Sequence, residues 1–351
     1  MTAVLSVRNL RVEIPTRHGV LTAIDDLSFD IAPGEVLGVV GESGAGKSIT
    51  GSAIIGLLDP PGRVAGGQIL LSGERIDNLS PSAMRRIRGK RIGMIFQDPL
   101  TSLNPLYRIG DQLTETILTH EKMSARAALD KAEHLLVEVG IPAAKARLSS
   151  YPHQFSGGMR QRVVIALALA ADPELVIADE PTTALDVSVQ AQVISLLKRL
   201  CKDRGASVML ITHDMGVIAE TADRVCVLYA GRLAEIGKVR DVVKLPQHPY
   251  THGLMAAIPS LNGDPDARLE QIPGAMPRLD AIPQGCAFNP RCSFRFDRCP
   301  AERPAVYETS RSQASCFLLD AAGEAPPAEI AAAARAAGIK VRAGARTGAD
   351  A

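Results

Sequence analysis

The stretch "GESGAGKS" at residues 41–48 is the feature that most constrains the fold of this chain. It follows "GEVLGVVG" (34–41), an almost wholly apolar run typical of a strand buried in a parallel sheet. It precedes "KSITGSAIIGLL" (47–58), which has helical spacing. A glycine-rich turn in this position lets consecutive N–H groups point at phosphate oxygens, and the helix N-terminus adds positive potential. The pattern predicts a phosphate-binding loop in which Lys47 reaches the β- and γ-phosphates and Ser48 ligates Mg²⁺.

The rest of the chain favours an α/β fold. Apolar strands are predicted at 174–179, 207–213 and 223–231, with a helix between the first two. Strands that alternate with helices indicate a parallel sheet. Residues 4–31 alternate between apolar and polar side chains and predict two or three further strands, whereas residues 98–170 are predicted to be mostly helical.

Charge and composition argue against two classes of partner. The formal net charge is +1, so no strong overall field favours nucleic acid or an anionic membrane surface. Aromatic residues make up 3% of the chain and Trp is absent. The chain therefore has few side chains on which the bases of a single-stranded nucleic acid could stack.

The sequence also lacks the segments that place a protein in or across a membrane. The run "VVIALALAA" (163–171) is about half the length of a spanning helix, and the N-terminal residues lack a signal-peptide pattern. We therefore expect a protein on the cytosolic side, with no nucleic-acid partner.

Two further motifs carry candidate functional residues. In "LVIADEPT" (175–182), Asp179 could hold Mg²⁺ through a water and Glu180 could orient or deprotonate an attacking water, although an acidic turn that caps a strand has the same pattern. In "FSGGMRQR" (155–162), Ser156 and two glycines at a helix start form a second candidate anion site. The alternative there is a plain serine cap beside a flexible turn.

These three motifs, in this order, resemble the ATP-binding cassette (ABC) family, as do Gln97 in "IFQDP", Asp186 after the acidic pair and His213 after the last core strand. The resemblance implies an α/β P-loop NTPase fold: a RecA-like parallel sheet core with an antiparallel β subdomain and an α-helical subdomain. It also implies that two ATPase domains meet head to tail. ATP is then held between the phosphate loop of one domain and the Ser-Gly-Gly segment of the other.

The resemblance assigns roles residue by residue. Glu180, His213 and Gln97 are the implied catalytic residues: Gln97 touches Mg²⁺ and the attacking water, and His213 contacts the γ-phosphate and steadies Glu180. The presence of Glu180 and His213 argues against a scaffold that binds ATP without turnover. The implied Mg²⁺ ligands are Ser48, Gln97 and Asp179. The implied nucleotide-binding residues are Gly41, Glu42, Ser43, Gly44, Ala45, Gly46, Lys47, Ser48, Ile49, Gln97, Asp179, Ser156, Gly157, Gly158 and Asp186.

Two positions depart from the family pattern. Phe155 stands where the family usually has Leu before Ser-Gly-Gly, which is an apolar substitution. The family usually places an aromatic residue of the early strands against adenine, and the comparable position here is Ile14. No aromatic residue precedes Phe29. The resemblance therefore predicts that adenine rests on an aliphatic surface or on a partner.

Longer segments resemble the ATPase subunits of oligopeptide and dipeptide importers. They are "FQDPLTSLNPLYRIGDQ" (96–112), "YPHQFSGGMRQRV" (151–163), "ADEPTTALDVSVQAQ" (178–192), "HPYTHGLMAAIP" (248–259) and "GCAFNPRCSFRFDRC" (285–299). The implied function is ATP hydrolysis that drives peptide import, with nickel, glutathione or a soluble non-transport ATPase as alternatives. The implied partners are two transmembrane permease subunits, a second ABC ATPase (in a heterodimer or a homodimer) and an extracytoplasmic solute-binding protein. The implied location is the cytoplasmic face of the cell membrane.

Four cysteines gather near the end of the chain: Cys286, Cys292, Cys299 and Cys316, separated by five, six and sixteen residues. In the cytosol thiols stay reduced, so the cluster suggests metal or redox chemistry before disulfides. Structural zinc sites contain a tighter pair, and four thiolates also fit an iron–sulfur cluster, so iron–sulfur, zinc and no metal remain open from the residues alone. The resemblance to peptide importers implies a 4Fe-4S cluster. Cys201 and Cys226 are predicted to be small core residues.

Changes in composition along the sequence predict three regions. Residues 1–260 form the nucleotide-binding domain, with a helical subdomain at about 98–165. Residues 261–320, richer in Pro, Gly and Cys, form a small C-terminal module. Residues 321–351 are Ala-rich and low in complexity, and we expect a mobile tail with one short helix at 328–337.

Overall fold

The computed structural model describes residues 2–183, 185–258, 271–323 and 325–341. The strands are β1 (Leu5–Thr16), β2 (Gly19–Ile31), β3 (Val36–Val40), β4 (Arg63–Leu71), β5 (Glu74–Arg75), β6 (Ile92–Ile95), β7 (Leu175–Asp179), β8 (Ser207–Ile211), β9 (Arg224–Tyr229), β10 (Arg232–Lys238), β11 (Tyr307–Glu308) and β12 (Ser312–Ala314). The helices are α1 (Lys47–Ile54), α2 (Pro81–Ile87), α3 (Pro99–Ser102), α4 (Ile109–His120), α5 (Ala125–Glu138), α6 (Ala144–Arg147), α7 (Gly157–Leu169), α8 (Val187–Asp203), α9 (Met215–Thr221), α10 (Val239–Lys244), α11 (Pro249–Ala256), α12 (Arg298–Ala301) and α13 (Ala328–Ala336).

The main sheet has the strand order β11-β12-β10-β9-β3-β8-β7-β6. From β9 to β6 the neighbours pair in parallel, whereas β10, β12 and β11 add antiparallel strands at one side. Strands β3, β7 and β8 are buried along their whole length, as expected for continuous apolar runs in a parallel sheet. The predicted parallel α/β core is confirmed, and the antiparallel extension was not predicted.

Strands β2, β1, β4 and β5 form a second, antiparallel sheet in that order. The two strands predicted within residues 4–31 are β1 and β2, whereas β4 and β5 were not predicted. Alternate residues of β3 serve two cores: Leu37 and Val39 join the cluster beneath the antiparallel sheet, and Val36 and Val40 join the cluster beneath the helices. The phosphate loop therefore leaves a strand that is held from both faces.

The helical region predicted over 98–170 contains α3 to α7. In α5 the buried positions Ala128, Ala132, Leu135 and Leu136 follow helical spacing, and Ser124 caps the helix by accepting a hydrogen bond from the Ala127 N–H. The apolar run at 163–171 lies in α7 and its end, packed within the same core. No helix in the described part of the chain is both long and apolar enough to cross a membrane.

The C-terminal residues are attached to the main sheet. Strand β12 pairs with β10, so that Glu235 lies opposite Ala314. The buried Glu235 carboxylate accepts hydrogen bonds from the backbone N–H groups of Gln247 and His248 and from the Ser312 hydroxyl. Of the segment expected to be a mobile tail, α13 is the predicted short helix, and Ala334 packs with Leu318. The domain limits at 260 and 320 stay predictions, and residues 259–270 and 342–351 lie outside the described residues.

Candidate functional site: a phosphate loop with paired carboxylates

The loop after β3 has a backbone that requires glycine. Gly41, Gly44 and Gly46 have φ values of +153°, +83° and +100°. A Cβ atom on Gly41 would lie 2.4 Å from the Leu228 carbonyl oxygen, so no other residue fits there without a shift of the backbone. Gly46 occupies the N-cap position of α1. No side chain caps the N-terminus of α1, and a glycine-rich loop that leads into a helix N-terminus is the arrangement that favours phosphate.

Lys47 is the first residue of α1, and its side chain folds back over the loop. Its Nζ donates hydrogen bonds to the carbonyl oxygens of Gly41 (2.7 Å) and Glu42 (3.1 Å). Only 6% of the residue is exposed, and this burial lowers the pKa of the Lys47 ammonium. The carboxylates of Glu180, Asp179 and Glu42 oppose that shift by stabilising the charged form. The ammonium is therefore placed to meet a further anionic group at the loop.

Two oxygen ligands meet at the end of β7. The Ser48 hydroxyl donates to Asp179 Oδ1 at 3.0 Å. Asp179 is 7% exposed; burial raises the pKa of its carboxyl, and the Ser48 hydrogen bond acts in the opposite direction. Carboxylate and hydroxyl oxygens are the hard ligands that Mg²⁺ prefers. This pair fits the predicted Mg²⁺ site.

Glu180 is held by three side chains. It has a left-handed backbone, with φ of +45°. Its carboxylate accepts hydrogen bonds from Gln97 Nε2 (3.0 Å) and Thr183 Oγ1 (3.1 Å), and its other oxygen lies 3.2 Å from His213 Nδ1. The predicted catalytic residues Gln97, Glu180 and His213 therefore lie together. Thr183 was not predicted, although it lies within the same acidic segment.

These groups surround one open cleft of about 630 Å³. Its lining residues are Ala23, Ser43, Gly44, Ala45, Gly46, Lys47, Ser48, Ile49, Gln97, Glu180, His213 and Leu279. Residues 43–49 of the predicted loop and the three predicted catalytic residues thus share a single cavity, whereas Gly41, Glu42 and Asp179 do not line it. This geometry defines a site for a polyphosphate and a metal ion, with a carboxylate placed beside them.

The Ser-Gly-Gly segment and Asp186 are not part of this cleft. Ser156 caps α7 and accepts a hydrogen bond from the Met159 N–H at 3.3 Å, and Ser156 and Gly157 are exposed. Asp186 occupies the N-cap position of α8, is exposed, and makes no side-chain capping bond. The chain therefore has a second helix N-terminus open to solvent, away from its own phosphate loop.

The structure also brings an unpredicted arginine to the phosphate loop. Arg291 Nη1 lies 3.1 Å from both carboxylate oxygens of Glu42, and the Arg291 side chain is 7% exposed. The Tyr250 hydroxyl accepts a hydrogen bond from the Glu42 N–H at 2.9 Å. Both partners come from the last third of the chain. No local sequence pattern signals such contacts, because they depend on the way the C-terminal residues pack.

The four clustered cysteines line one small cavity, together with aromatic side chains that include Phe288 and Phe294. Burial raises the pKa of the Cys286 thiol to about 11 and that of Cys292 to about 12, and it also raises the pKa values of Cys299 and Cys316. Within the described residues, no group of three or more His, Cys, Asp or Glu side chains is positioned to hold a metal ion. The predicted metal cluster is not confirmed and stays a prediction.

The other two cysteines, Cys201 and Cys226, are buried in the core, as predicted. Burial raises the pKa of each thiol to about 12, so both behave as neutral, apolar side chains at ordinary pH.

The fold and the cleft define a P-loop ATPase, and comparisons with known proteins agree. Residues 24–183 match the family model described as "ABC transporter", and residues 234–299 match "Oligopeptide/dipeptide transporter, C-terminal region". The chain belongs to the ABC transporter family, in the oligopeptide/dipeptide transporter group that the second model describes.

Individual relatives are similar over most of their length. The chain is 49% identical over 330 residues to the dipeptide transport ATP-binding protein DppD of Bacillus subtilis, covering 92% of this chain and 97% of that protein. It is 46% identical over 315 residues to the oligopeptide transport ATP-binding protein OppD of Escherichia coli, covering 90% and 93%. A dimeric, post-hydrolysis structure of the cassette MJ0796 bound to ADP and Pi superposes with a TM-score of 0.60 at 27% identity, covering 67% of this chain and 99% of that one.

Proposed function

We propose that this chain is the ATP-hydrolysing subunit of an ABC importer for dipeptides and oligopeptides. The observation that carries the proposal is the single cleft lined by the phosphate loop, by Ser48 and by the restrained Glu180 carboxylate, with Asp179 hydrogen-bonded to Ser48 behind it. The peptide assignment is supported by relatives that are 45–49% identical and carry peptide-transport names. No observation favours nickel, glutathione or a soluble non-transport ATPase.

Hydrolysis would transfer the γ-phosphoryl group of ATP to water and release ADP and phosphate. The loop N–H groups and Lys47 bind the phosphate oxygens, and Ser48 and Asp179 would hold Mg²⁺, which neutralises charge that develops on those oxygens. Glu180 orients the attacking water and accepts its proton. Gln97, Thr183 and His213 fix the Glu180 carboxylate, so it does not have to find its position during the reaction.

The exposed Ser-Gly-Gly segment and Asp186 support a second ATPase chain as a partner. A helix N-terminus with unpaired N–H groups attracts phosphate, yet this one lies outside its own chain's cleft. In a head-to-tail dimer, Ser156, Gly157 and Gly158 of each chain would complete the site of the other. The dimer, a heterodimer or a homodimer, would dock on two permease subunits at the cytoplasmic face of the membrane. A solute-binding protein would deliver the peptide from the other side.

The cysteine module is proposed to hold a 4Fe-4S cluster, with zinc as the alternative. Four thiols line one cavity, and thiolate sulfur is a ligand type that both groups take, although the side chains would have to move together and each thiol would have to lose its proton. Anaerobic purification with metal analysis tests this: about four irons and four sulfides per chain are expected, and stoichiometric zinc without iron contradicts it.

Glu180→Gln tests the proposed ATPase mechanism. In the complex with its permeases, the variant should hydrolyse ATP at least a hundredfold more slowly, because the amide cannot accept the proton. ATP binding should persist, and the ATP-bound dimer should accumulate. Glu220→Gln, at an exposed position of α9, is the matched control and should keep normal turnover. Unchanged turnover in Glu180→Gln would show that the role assigned to this carboxylate is wrong.

A further inference from the structure

The nucleotide cleft has one wall that comes from the C-terminal part of the chain. Leu279 lines the same cavity as the phosphate loop and the catalytic residues, and across the cavity Ala23 of β2 contributes a small apolar surface. Residues 273–281, which carry Leu279, are called the wall segment below. A segment that the sequence places with the cysteine module is therefore part of the ATP site.

The polar groups of the cleft are concentrated where the phosphates and the water would lie. Lys47, Ser48, Gln97, Glu180 and His213 all belong to that region. None of the described lining residues is Phe, Tyr or Trp, and Leu279 and Ile49 are the large apolar ones. Because Ile49 directly follows Ser48 in α1, it lies beside the phosphate end. Leu279 is the large apolar side chain left to contact a base.

The wall segment is packed against the protein. Met276 Cγ lies 3.8 Å from the position that a Cβ of Gly44 would occupy, so this side chain covers the phosphate loop. Met276 and Leu279 are both half-buried against the core beneath the antiparallel sheet. Ile14 packs against the same core but does not line the cleft. The apolar surface beside the loop is therefore preformed by Leu279 and Met276.

Arg291 ties the wall segment to the phosphate loop. Its Nε donates to the Pro273 carbonyl oxygen at 2.8 Å and its Nη2 to the Gly274 carbonyl oxygen at 3.4 Å. The same guanidinium lies 3.1 Å from both carboxylate oxygens of Glu42, the second residue of the loop. Nη1 also donates to the Tyr229 hydroxyl at 3.4 Å. Because a guanidinium is planar and rigid, these contacts fix the segment relative to the loop. Arg291 is thus a positioning residue.

We propose that Leu279, supported by Met276, is the surface against which the purine base of ATP packs, and that Arg291 holds this surface in place. The inference deepens the proposed function, since it assumes that the triphosphate occupies the neighbouring loop. It assigns base binding to the C-terminal region, whereas the phosphates are bound by the N-terminal part of the chain.

The test compares two ligands that share the phosphates but differ in the base. Calorimetric titration of the full chain with ATP and with inorganic tripolyphosphate, each with Mg²⁺, gives both affinities. Leu279→Ala should weaken ATP binding about tenfold, equivalent to about 1.4 kcal/mol, and leave tripolyphosphate binding within twofold. Leu279→Phe should keep or tighten ATP binding, because a ring offers a larger apolar face. Leu245→Ala, at an exposed site after α10, is the control.

The outcomes separate the two proposals. If Leu279→Ala binds ATP as the wild type does, or loses both ligands equally, the base-binding inference is wrong while the phosphate site stands. If the wild-type chain binds neither ATP nor tripolyphosphate, the nucleotide function proposed for the cleft itself is wrong.

Discussion

The contact between Arg291 and Glu42 leads to a quantitative prediction. Arg291→Met keeps an unbranched, flexible apolar stem but is shorter and removes the charge and all the donors of the guanidinium. The change removes the ion pair with Glu42 and the donors to the Pro273 and Gly274 carbonyl groups. Charge-assisted hydrogen bonds contribute about 1.5–3 kcal/mol, and an unpaired buried polar group costs about 1–3 kcal/mol. Glu42 is 29% exposed, so water replaces part of the loss.

We therefore expect Arg291→Met to lower the free energy of unfolding by about 2–4 kcal/mol. It should also weaken ATP binding about three- to tenfold, because the wall segment loses its anchor. Urea unfolding of the full chain and calorimetric titration measure the two effects. Arg311→Met, at an exposed position between β11 and β12, is the matched control.

A double-mutant cycle with Glu42→Gln isolates the pair. If the two side chains stabilise each other as the distances indicate, the loss of unfolding free energy in the double variant should be about 1 kcal/mol smaller than the sum of the losses in the two single variants. A coupling energy near zero, with ATP affinity unchanged in Arg291→Met, would refute the argument that the C-terminal region supports the loop through this contact.

Three further predictions concern separate parts of the chain. Ser156→Ala should lower the ATPase rate of the assembled complex on the order of tenfold. The same change should leave the ATP affinity of the isolated chain unchanged, because Ser156 does not line the cleft of its own chain. Equal losses in both assays would contradict the proposed dimer. Ser207→Ala should lower the free energy of unfolding, measured with urea, by about 1 kcal/mol. The Ser207 hydroxyl accepts a hydrogen bond from the Gly34 N–H and donates one to the Ala32 carbonyl oxygen. An unchanged free energy of unfolding would contradict this. Although burial opposes it, hydrogen bonds from Arg75 and the Ile69 N–H lower the pKa of Asp77. Asp77→Asn should therefore lower the free energy of unfolding by about 1 kcal/mol at pH 7. This difference should begin to shrink below about pH 4, where the unfolded carboxyl takes up its proton, and be lost only below the lowered pKa of the folded Asp77. A pH-independent difference would contradict the assignment.

The sequence by itself determined the features of this protein that are formed by residues close together in the chain. The phosphate loop and the Asp179–Glu180 pair each follow a buried strand, and in a parallel sheet such loops meet at the carboxyl edge. The short-range pattern of apolar strand, glycine turn and helix therefore predicted both the site and the strands that hold it. Ser156 was predicted as a helix start for the same reason, because a cap and the helix that it begins are adjacent in the sequence.

The local sequence pattern did not predict strands that are very short or that mix apolar and charged residues. Strand β6 has four residues and β5 has two, too few for a period to be read. Strand β10 includes the buried Glu235, whose charge hides it from a search for apolar runs. Its carboxylate is accommodated because three hydrogen-bond donors converge on it.

Only the tertiary structure decided which distant residues complete the site. Arg291 and Glu42 are separated by 249 positions, and Leu279 lines the cleft although it lies 99 positions after the Glu180 carboxylate, in a region that β12 joins to the main sheet. Such contacts arise from packing between elements, which leaves no periodic trace in either partner. The chain encodes its phosphate chemistry in contiguous residues because consecutive backbone N–H groups must point at one ligand. A base, by contrast, needs only an apolar surface, which any part of the fold can supply.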